Sequence, residues 1–470
     1  MLKSRKLVII SIFIFCAVIT VNAQRNIDKP NFIIIFVDDL GETDIGSYGN
    51  KYIETPNIDN LAKDGMKWTN AYSTSPICSP SRAAIMTGKN PARVNFTGHI
   101  TAIGRHRHPE NSRIIPPRDL MFLSKDEVIL PEALRPADYK SISLGKWHLG
   151  PEGYWPHEVG FDENVGGWTH GSPPTHFYPY EKPEQEWNPS IPFIDLSKGE
   201  EGEYLADRLT DEAIDFIYRN RNEPFLVYLS HYAVHTPLEA PQELIDKYKP
   251  IVKDTPIDPV YAAMVENLDQ NTGRLLDALD NFGLSENTVV IFASDNGAEH
   301  RFSDMYPYRA GKGVLYEGGI RVPFIMKWPG VIPAGSVSET RTITEDIYVT
   351  IVDIVGNEAV PGKPLDGRSL VEDFTKNEYF DRELFFYYPH FSGQFRTPGA
   401  AVISGDYKFI ELFESNTVEL YNIKADPGET KNLVELYPGK IIEFQSRLNM
   451  WLHREVNAIM HTPNPNYEEN

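Results

Sequence analysis

The sequence predicts an α/β fold in which a large, mostly parallel central sheet is flanked by helices, with a smaller C-terminal α+β subdomain that carries an antiparallel sheet. Three patterns support this prediction: continuous apolar runs, amphipathic segments between them, and a tail of short, closely spaced strand patterns. A continuous apolar run is typical of a strand that is buried on both faces of a parallel sheet. Alternation of such strands with helices indicates parallel pairing.

Five apolar runs are predicted to form the strands of the central sheet. These are Asn31–Val37, Tyr139–Leu144, Phe225–Ser230, Thr288–Ala293 and Val322–Lys327. Amphipathic patterns predict helices over Ile58–Met66, Tyr204–Tyr218 and Val260–Leu279.

The chain changes character near residue 370, where short strand patterns replace the long alternation. These patterns are Arg382–Tyr388, Gly399–Ser404, Tyr407–Leu412 and Thr417–Asn422, and a helix over Lys440–Glu455 follows them. Their close spacing indicates an antiparallel meander. We therefore expect a main domain over residues 24–370 and a C-terminal subdomain over residues 371–470.

The N-terminus has the pattern of an export signal. A basic start precedes an uncharged run over residues 7–21, and Val21-Asn22-Ala23 fits a cleavage site. We expect residues 1–23 to be a signal peptide, so that the mature protein is periplasmic or secreted and has no stable membrane insertion. The alternative is an uncleaved anchor, although the run is shorter than the roughly 20 residues that a membrane span needs.

Composition excludes several other classes of protein. With 66 acidic and 45 basic residues, the chain has a net charge of −21, which disfavours a nucleic-acid partner. A hydrophobic content of 41% excludes intrinsic disorder. The chain has two cysteines, and loss of Cys16 with the signal would leave Cys78 as a lone cysteine. The residues around Cys78 therefore decide whether that thiol is used.

Residues capable of catalysis follow four of the predicted strands. Asp38-Asp39 follows the first strand and Asp295-Asn296 the fourth, while Lys146-Trp147-His148 and His235 follow the second and third. In open parallel sheets, ligands bind at the carboxyl ends of the strands. We therefore expect these four strand ends to form one site.

Cys78 begins the most specific motif in the chain. Residues 75–88 read SPICSPSRAAIMTG, and Cys78 lies at the start of a predicted helix, where backbone N–H groups favour negative charge. Cysteine followed by Pro80, Ser81 and Arg82 resembles the C-x-P-S-R signature of type I sulfatases, the formylglycine-dependent, arylsulfatase-like family of the alkaline phosphatase superfamily. Motifs similar to that family extend over about residues 30–330 and recur in the tail.

This resemblance implies that Cys78 is oxidised to formylglycine by a formylglycine-generating or an anaerobic sulfatase-maturing enzyme. A hydrated aldehyde has two hydroxyls on one carbon, so that one can attack sulfur and the other can then expel sulfate. The resemblance also implies a metal site formed by Asp38, Asp39, Asp295, Asn296 and the modified Cys78. Oxygen ligands without histidine favour Ca²⁺, with Mg²⁺ as the alternative.

The same resemblance assigns the cationic residues to the sulfate. Arg82 is expected to orient the formylglycine, Lys146 to bind sulfate, and His148 to assist opening of the sulfated hydrate. His235 and Lys312 are expected beside the leaving oxygen, where acid assistance eases departure of a poor alkoxide. The implied activity is hydrolysis of sulfate esters.

A sulfated polysaccharide or oligosaccharide is the expected substrate, and residues outside the core motifs are candidates for contacts to its sugars. These candidates are His99, Arg105, His106, Arg107 and His108 after the signature helix, Trp168, His170, His176, Phe177 and Tyr178 in a long loop, and His390 and Arg396 in the tail.

Three alternative functions remain open from the sequence. A phosphonate or phosphate monoester hydrolase of the same superfamily would use the same metal and formylglycine. An inactive sulfatase-like carbohydrate-binding protein would retain the fold without turnover. A cysteine hydrolase would use the unmodified thiol, but the chain lacks a clear local signature for one.

Overall fold

The structure is a computed structural model that describes residues 29–100, 108–181, 196, 198–376, 378–391, 393 and 397–468. The predicted signal peptide, including Cys16, lies outside the described residues.

The described strands fall into one large sheet, one small C-terminal sheet and two short pairs. In chain order they are β1 (Asn31–Val37), β2 (Met66–Trp68), β3 (Ala71–Tyr72), β4 (Ile114–Ile115), β5 (Lys140–Gly145), β6 (Glu163–Val165), β7 (Phe225–Ser230), β8 (Thr288–Ser294), β9 (Phe324–Lys327), β10 (Ser336–Ser338), β11 (Thr342–Ile343), β12 (Leu384–Tyr388), β13 (Gly399–Ser404), β14 (Tyr407–Leu412), β15 (Thr417–Asn422) and β16 (Thr462–Pro463).

The described helices lie mainly between the strands of the large sheet. They are α1 (Pro56–Asp64), α2 (Cys78–Thr87), α3 (Leu130–Leu134), α4 (Pro156–Val159), α5 (Leu205–Asn220), α6 (Gln242–Ile251), α7 (Pro259–Asn281), α8 (Glu317–Ile320), α9 (Glu345–Val355), α10 (Val371–Lys376) and α11 (Pro438–Met450).

The large sheet has the strand order β10-β2-β9-β8-β1-β7-β5-β6, and most of its pairs are parallel. The exception is β9, which runs antiparallel to both β8 and β2. The predicted fold class is therefore confirmed. The predicted first helix was two residues too late, because Gly65 separates α1 from β2, and Met66 belongs to that strand.

Both faces of the central strand β1 are buried, which accounts for its continuous apolar run. Ile33, Ile35 and Val37 pack in one core with residues of α5 and α7. Phe32 and Ile34 point to the opposite face, where they pack in a second core with residues of α2 and α9. Helices on both faces leave the carboxyl ends of the strands as the edge at which a site can form.

The four predicted tail strands form an antiparallel sheet, β12 to β15, as expected. One face packs on α11 through Phe444 and Leu448. The other face packs on the chain segment around α8, where Val314 and Ile320 share a core with Ile410. This sheet therefore supports the segment that follows Lys312.

Helix α10 packs with the main sheet, although it follows residue 370. Phe374 belongs to the core of the large sheet, and Asp373 accepts a hydrogen bond of 2.7 Å from Trp68 Nε1. Within the described ranges, none of the helices has the length and apolar character that a membrane crossing needs.

Candidate active site

The ends of β1 and β8 bring the four predicted oxygen ligands together. These strands pair in parallel, with Val37 opposite Ser294, so the residues that follow each strand are neighbours. Asp39 N donates to Asp295 Oδ1 at 3.2 Å, and Asn296 Nδ2 donates to Asp39 Oδ1 at 2.8 Å. All four side chains are buried. Asp39 also has a left-handed φ of 61°, a conformation that structures retain mainly at functional sites.

Cys78 is the first residue of α2, and Arg82 follows one helical turn later. Arg82 Nε and Nη2 donate to Asp295 Oδ2 at 3.0 and 2.7 Å, and Nη1 donates to the carbonyl of Lys146 at 3.1 Å. The Arg82 side chain is fully buried. The guanidinium therefore joins the Cys78 helix to the ends of two strands.

Each of the two predicted lysines binds a different carboxylate. Lys146 Nζ donates to Asp38 Oδ2 at 2.6 Å, whereas Lys312 Nζ donates to Asp39 Oδ1 and Oδ2 at 2.6 and 2.7 Å. Burial raises the pKa of Asp38 well above its ordinary value despite Lys146. Burial also acts to raise the pKa of Asp39, but Lys312 and His235 hold it below its ordinary value. The pocket therefore contains buried positive charge on both sides of the carboxylates.

Gly145 determines where Lys146 lies. Its φ is 83°, and a Cβ at this position would lie 2.2 Å from the carbonyl oxygen of Ser230. Only glycine fits such a close approach with a left-handed backbone. The turn directs the next residue into the site at the end of β5.

The hydrogen bonds of the two predicted histidines indicate their tautomers. His148 Nε2 lies 3.1 Å from the carbonyl of Ile100, so it donates, and Nδ1 accepts from Ser79 Oγ at 3.1 Å. His235 Nδ1 lies 2.7 Å from the carbonyl of Thr236, which leaves Nε2 as the acceptor, 3.7 Å from Asp39 Oδ2. Burial lowers the pKa of both rings to about 3, so both are neutral near pH 7.

The Cys78 thiol lies in a pocket that favours negative charge. Burial alone would raise the pKa of this thiol, but the positive charges of Lys146 and Lys312 hold it well below its ordinary value. Potential ligand atoms of Cys78, His99 and His148 lie within 4.8 Å of one another. His99, which the sequence suggested as a sugar contact, therefore lies beside the Cys78 thiol.

The donor set fits a hard divalent cation. Asp38 Oδ1 and Asn296 Oδ1 are buried, and neither accepts a hydrogen bond from the described part of the chain. Carboxylate oxygens of Asp38 and Asp295 lie within 4.8 Å of each other and of Cys78 Sγ. Buried oxygens without a donor are costly unless a cation binds them. Asp38, Asp39, Asp295 and Asn296 thus provide oxygen ligands of the kind that Ca²⁺ and Mg²⁺ prefer.

The structure corrects part of the expected sugar-binding surface. Trp168 and His176 are buried, and His176 Nε2 lies 3.3 Å from the carbonyl of His235, so neither forms a wall open to a sugar. His108 Nδ1 contacts Ser112 Oγ at 3.0 Å. His390 is also buried, with Nε2 2.9 Å from Thr97 Oγ1. His170, Phe177 and Tyr178 remain partly exposed, whereas Arg105, His106, Arg107 and Arg396 lie outside the described residues.

A cavity of about 100 Å³ opens beside Asp39, His235 and Lys312. Glu299 and Arg301, which sequence reasoning missed, also line this cavity. They belong to the polar loop after β8, and nothing in their local sequence distinguishes them from a solvated turn. Only the position of that loop across the strand ends could have revealed them.

A mostly parallel α/β sheet with carboxylates, a buried cysteine and buried lysines at its carboxyl edge defines a hydrolase of the phosphate and sulfate ester class. The sulfatase family model matches residues 30–357, and a model described as "N-sulphoglucosamine sulphohydrolase, C-terminal" matches residues 300–456.

Sequence relatives agree with this match. The chain is 34% identical to an N-acetylgalactosamine-6-sulfatase of Mus musculus, over 76% of this chain and 68% of that protein. It is 31% identical to a sulfatase of Formosa agariphila, over 90% of this chain and 89% of that protein.

The solved structure of Ps i-CgsB in complex with k-i-k-neocarrahexaose superposes with a TM-score of 0.76 at 29% identity, covering 94% of this chain and 95% of that one. The chain therefore belongs to the sulfatase family, and this membership supports a sulfuric ester hydrolase.

Proposed function

We propose that this protein hydrolyses sulfate esters of a sulfated polysaccharide or oligosaccharide, with a formylglycine made from Cys78 as the nucleophile. The observation that carries the proposal is the buried pocket at the edge where β1 and β8 end, in which Cys78 Sγ lies within 4.8 Å of carboxylate oxygens of Asp38 and Asp295 and of ring nitrogens of His99 and His148. Lys146 and Lys312 add positive charge there and lower the pKa of the thiol against the effect of burial. Such a pocket stabilises negative charge on any atom at position 78.

Maturation of Cys78 requires access that the folded protein does not give. The side chain is fully buried at the start of α2. A formylglycine-generating or anaerobic sulfatase-maturing enzyme therefore acts on the unfolded chain. Once formed, a hydrated aldehyde supplies one hydroxyl to attack sulfur, which breaks the S–O bond of the ester and releases the alcohol. Deprotonation of the second hydroxyl then expels sulfate and restores the aldehyde.

The metal in this proposal is Ca²⁺, with Mg²⁺ as the alternative. Asp38, Asp39, Asp295, Asn296 and residue 78 would hold it, and Asp38 Oδ1 and Asn296 Oδ1 are the oxygens that most need a cation. A bound divalent cation would polarise the sulfate ester and favour the ionised nucleophile.

The remaining residues bind charge and move protons. Arg82 fixes Asp295 and the helix that carries residue 78, while Lys146 balances negative charge on sulfate. Neutral His148, whose Nδ1 accepts from Ser79 Oγ and whose ring lies beside Cys78, takes the proton that opens the sulfated intermediate. Burial acts to lower the pKa of Lys312, but Asp39 raises it, so Lys312 stays protonated and serves the leaving oxygen, with neutral His235 lining the same cavity.

A carbohydrate substrate is supported by the relatives and not by the geometry alone. One relative is named for N-acetylgalactosamine-6-sulfate chemistry, and one superposed structure contains a neocarrahexaose. A glycoside alkoxide is a poor leaving group, and the placement of protonated Lys312 suits acid assistance. Export through residues 1–23 and division into domains at about residue 370 are part of the same proposal.

The decisive experiment combines a mass measurement with turnover. Protein from a host with the maturation enzyme is digested, and the peptide that carries residue 78 is weighed, with Cys78→Ala as the control. We expect an aldehyde, turnover of sulfate esters, and no turnover by the control. An aldehyde without sulfate ester turnover would overturn the proposed activity.

The same preparation separates the alternatives. Matched phosphate and phosphonate esters that turn over faster than the sulfate ester would indicate the rival hydrolase of the superfamily. Full turnover with an intact thiol would indicate a cysteine enzyme. Bound sulfated sugar without turnover would indicate a binding protein.

A further inference from the structure

The loop after β8, residues 298–308, is fixed at three points on the rim of the site. Ser303 Oγ donates to Asp44 Oδ1 at 2.6 Å, and Tyr308 OH donates to Glu42 Oε2 at 2.6 Å. The carbonyl of Phe302 accepts from the backbone N–H of Asp258 at 2.9 Å. Ser303 and Asp44 are buried, so the loop is a fixed wall.

The cavity that this wall borders is small. At about 100 Å³, it is well below the roughly 300–1,000 Å³ of pockets that enclose a drug-sized ligand. A sugar chain does not fit inside such a space, so a chain whose ester oxygen reaches Lys312 would extend past its mouth. Whatever projects from the wall at the mouth therefore meets the sugars next to the cleaved ester.

Arg301 occupies this position. Its Nη2 donates to Glu299 Oε2 at 3.2 Å, and its guanidinium carbon lies 5.0 Å from the centre of the Phe302 ring. The Glu299 side chain is only 6% exposed, whereas that of Arg301 is 58% exposed. Glu299 and Phe302 thus orient a guanidinium whose Nε and Nη1 make no hydrogen bond to the described residues.

We propose that Arg301 binds a second anionic group, a sulfate or carboxylate on a sugar neighbouring the cleaved ester, and so selects polyanionic chains. This proposal rests on the function proposed above. A guanidinium presents paired N–H donors that match the oxygens of such a group. The selection must be local, because a chain with a net charge of −21 does not attract a polyanion at long range.

The test measures competitive inhibition of 4-nitrophenyl sulfate hydrolysis by hexasaccharides of chondroitin 6-sulfate, ι-carrageenan and dextran sulfate. A monosulfated monosaccharide, galactose 6-sulfate, serves as the singly charged probe. The matured wild type is compared with Arg301→Ala and Arg301→Lys. Arg274→Ala is the control, because Arg274 is also an exposed arginine paired with a carboxylate, Asp211, but lies on α7.

We expect Arg301→Ala to weaken inhibition by at least one hexasaccharide about tenfold, more than it weakens inhibition by galactose 6-sulfate. Arg301→Lys should recover part of the loss, and Arg274→Ala should match the wild type. Inhibition of the wild type should also fall more steeply with salt than that of Arg301→Ala, because one exposed charge pair is removed.

Any of three outcomes would overturn the role of Arg301. Arg301→Ala weakens inhibition by the hexasaccharides and by galactose 6-sulfate equally, or it leaves the salt dependence of inhibition unchanged, or none of the hexasaccharides inhibits the wild type. The proposed sulfate ester hydrolysis is tested separately in the same assay, because it fails if the matured wild type does not hydrolyse 4-nitrophenyl sulfate.

Discussion

The strongest prediction concerns Lys408, a fully buried lysine on β14 that joins the C-terminal sheet to the main domain. Its Nζ lies 3.0 Å from Glu317 Oε1 and 3.0 Å from Glu429 Oε1. Both carboxylates are buried, and the backbone N–H of Glu317 also donates to Glu429 Oε2 at 2.7 Å. Glu317 begins α8, in the segment that follows Lys312.

Replacing Lys408 with methionine keeps the volume but leaves the two carboxylates without their shared cation. Glu317 retains Arg321, whose Nε lies 3.0 Å from Glu317 Oε2, but no second cation of the described chain pairs with Glu429. Removing one partner of a buried ion pair costs about 3–5 kcal/mol. We expect Lys408→Met to lower the free energy of unfolding by that amount at pH 8.

The cost should depend on pH, because the carboxylates can take up protons. Burial raises the pKa of Glu429 to about 7, from an ordinary value of 4.5. The stability that such a group contributes is present below about pH 4.5 and is lost as the pH rises through about 7. Loss of Lys408 raises this pKa further, so the difference between variant and wild type should grow from pH 5.5 to pH 8.

Urea unfolding at pH 5.5 and pH 8 measures both effects. Lys424→Met is the matched control, since Lys424 lies 3.8 Å from Asp406 but its side chain is 78% exposed. An exposed pair of this kind contributes about 0–1 kcal/mol. Equal stabilities of the two variants, or a cost for Lys408→Met that does not change with pH, would refute the reasoning.

Three further predictions concern the site. In a thermal melt, Ca²⁺ at a hundredfold excess over its dissociation constant should stabilise the EDTA-treated wild type by about 2.7 kcal/mol. Asn296→Ala should lose most of this stabilisation. An equal gain for both proteins would exclude Asn296 as a ligand of the cation. Lys312→Ala should lower kcat by about 10²–10⁴-fold for alkyl sulfates and by less for 4-nitrophenyl sulfate. Equal losses of kcat for the two kinds of substrate would show that Lys312 does not act at the leaving oxygen. Gly171→Ala places a Cβ 2.4 Å from His148 Cε1 and so should displace the His148 ring and lower kcat by about a hundredfold. Unchanged kinetics would mean that turnover does not depend on the position of the His148 ring.

The strands and the ligand-bearing strand ends were predictable because their signals are local. Every residue of Asn31–Val37 is buried, and the apolar run itself predicts burial on both faces of the strand. The carboxylates of Asp38 and Asp39 follow directly in the chain. The N-terminal position of Cys78 on α2 is likewise encoded within about ten residues. These features depend on hydrophobic periodicity and helix ends, which are short-range properties.

Tertiary structure alone decided which charges pair. Lys146 meets Asp38 across 108 positions of sequence, and Lys312 meets Asp39 across 273. The sequence placed all four residues in one site, but the strand order and the turn after Gly145 determine which lysine faces which carboxylate. The burial of Trp168 and His176, the place of His99 beside Cys78 and the exposure of Arg301 are set in the same way. Each of these features depends on how segments that are distant in the sequence pack together, and short-range sequence patterns do not predict such packing.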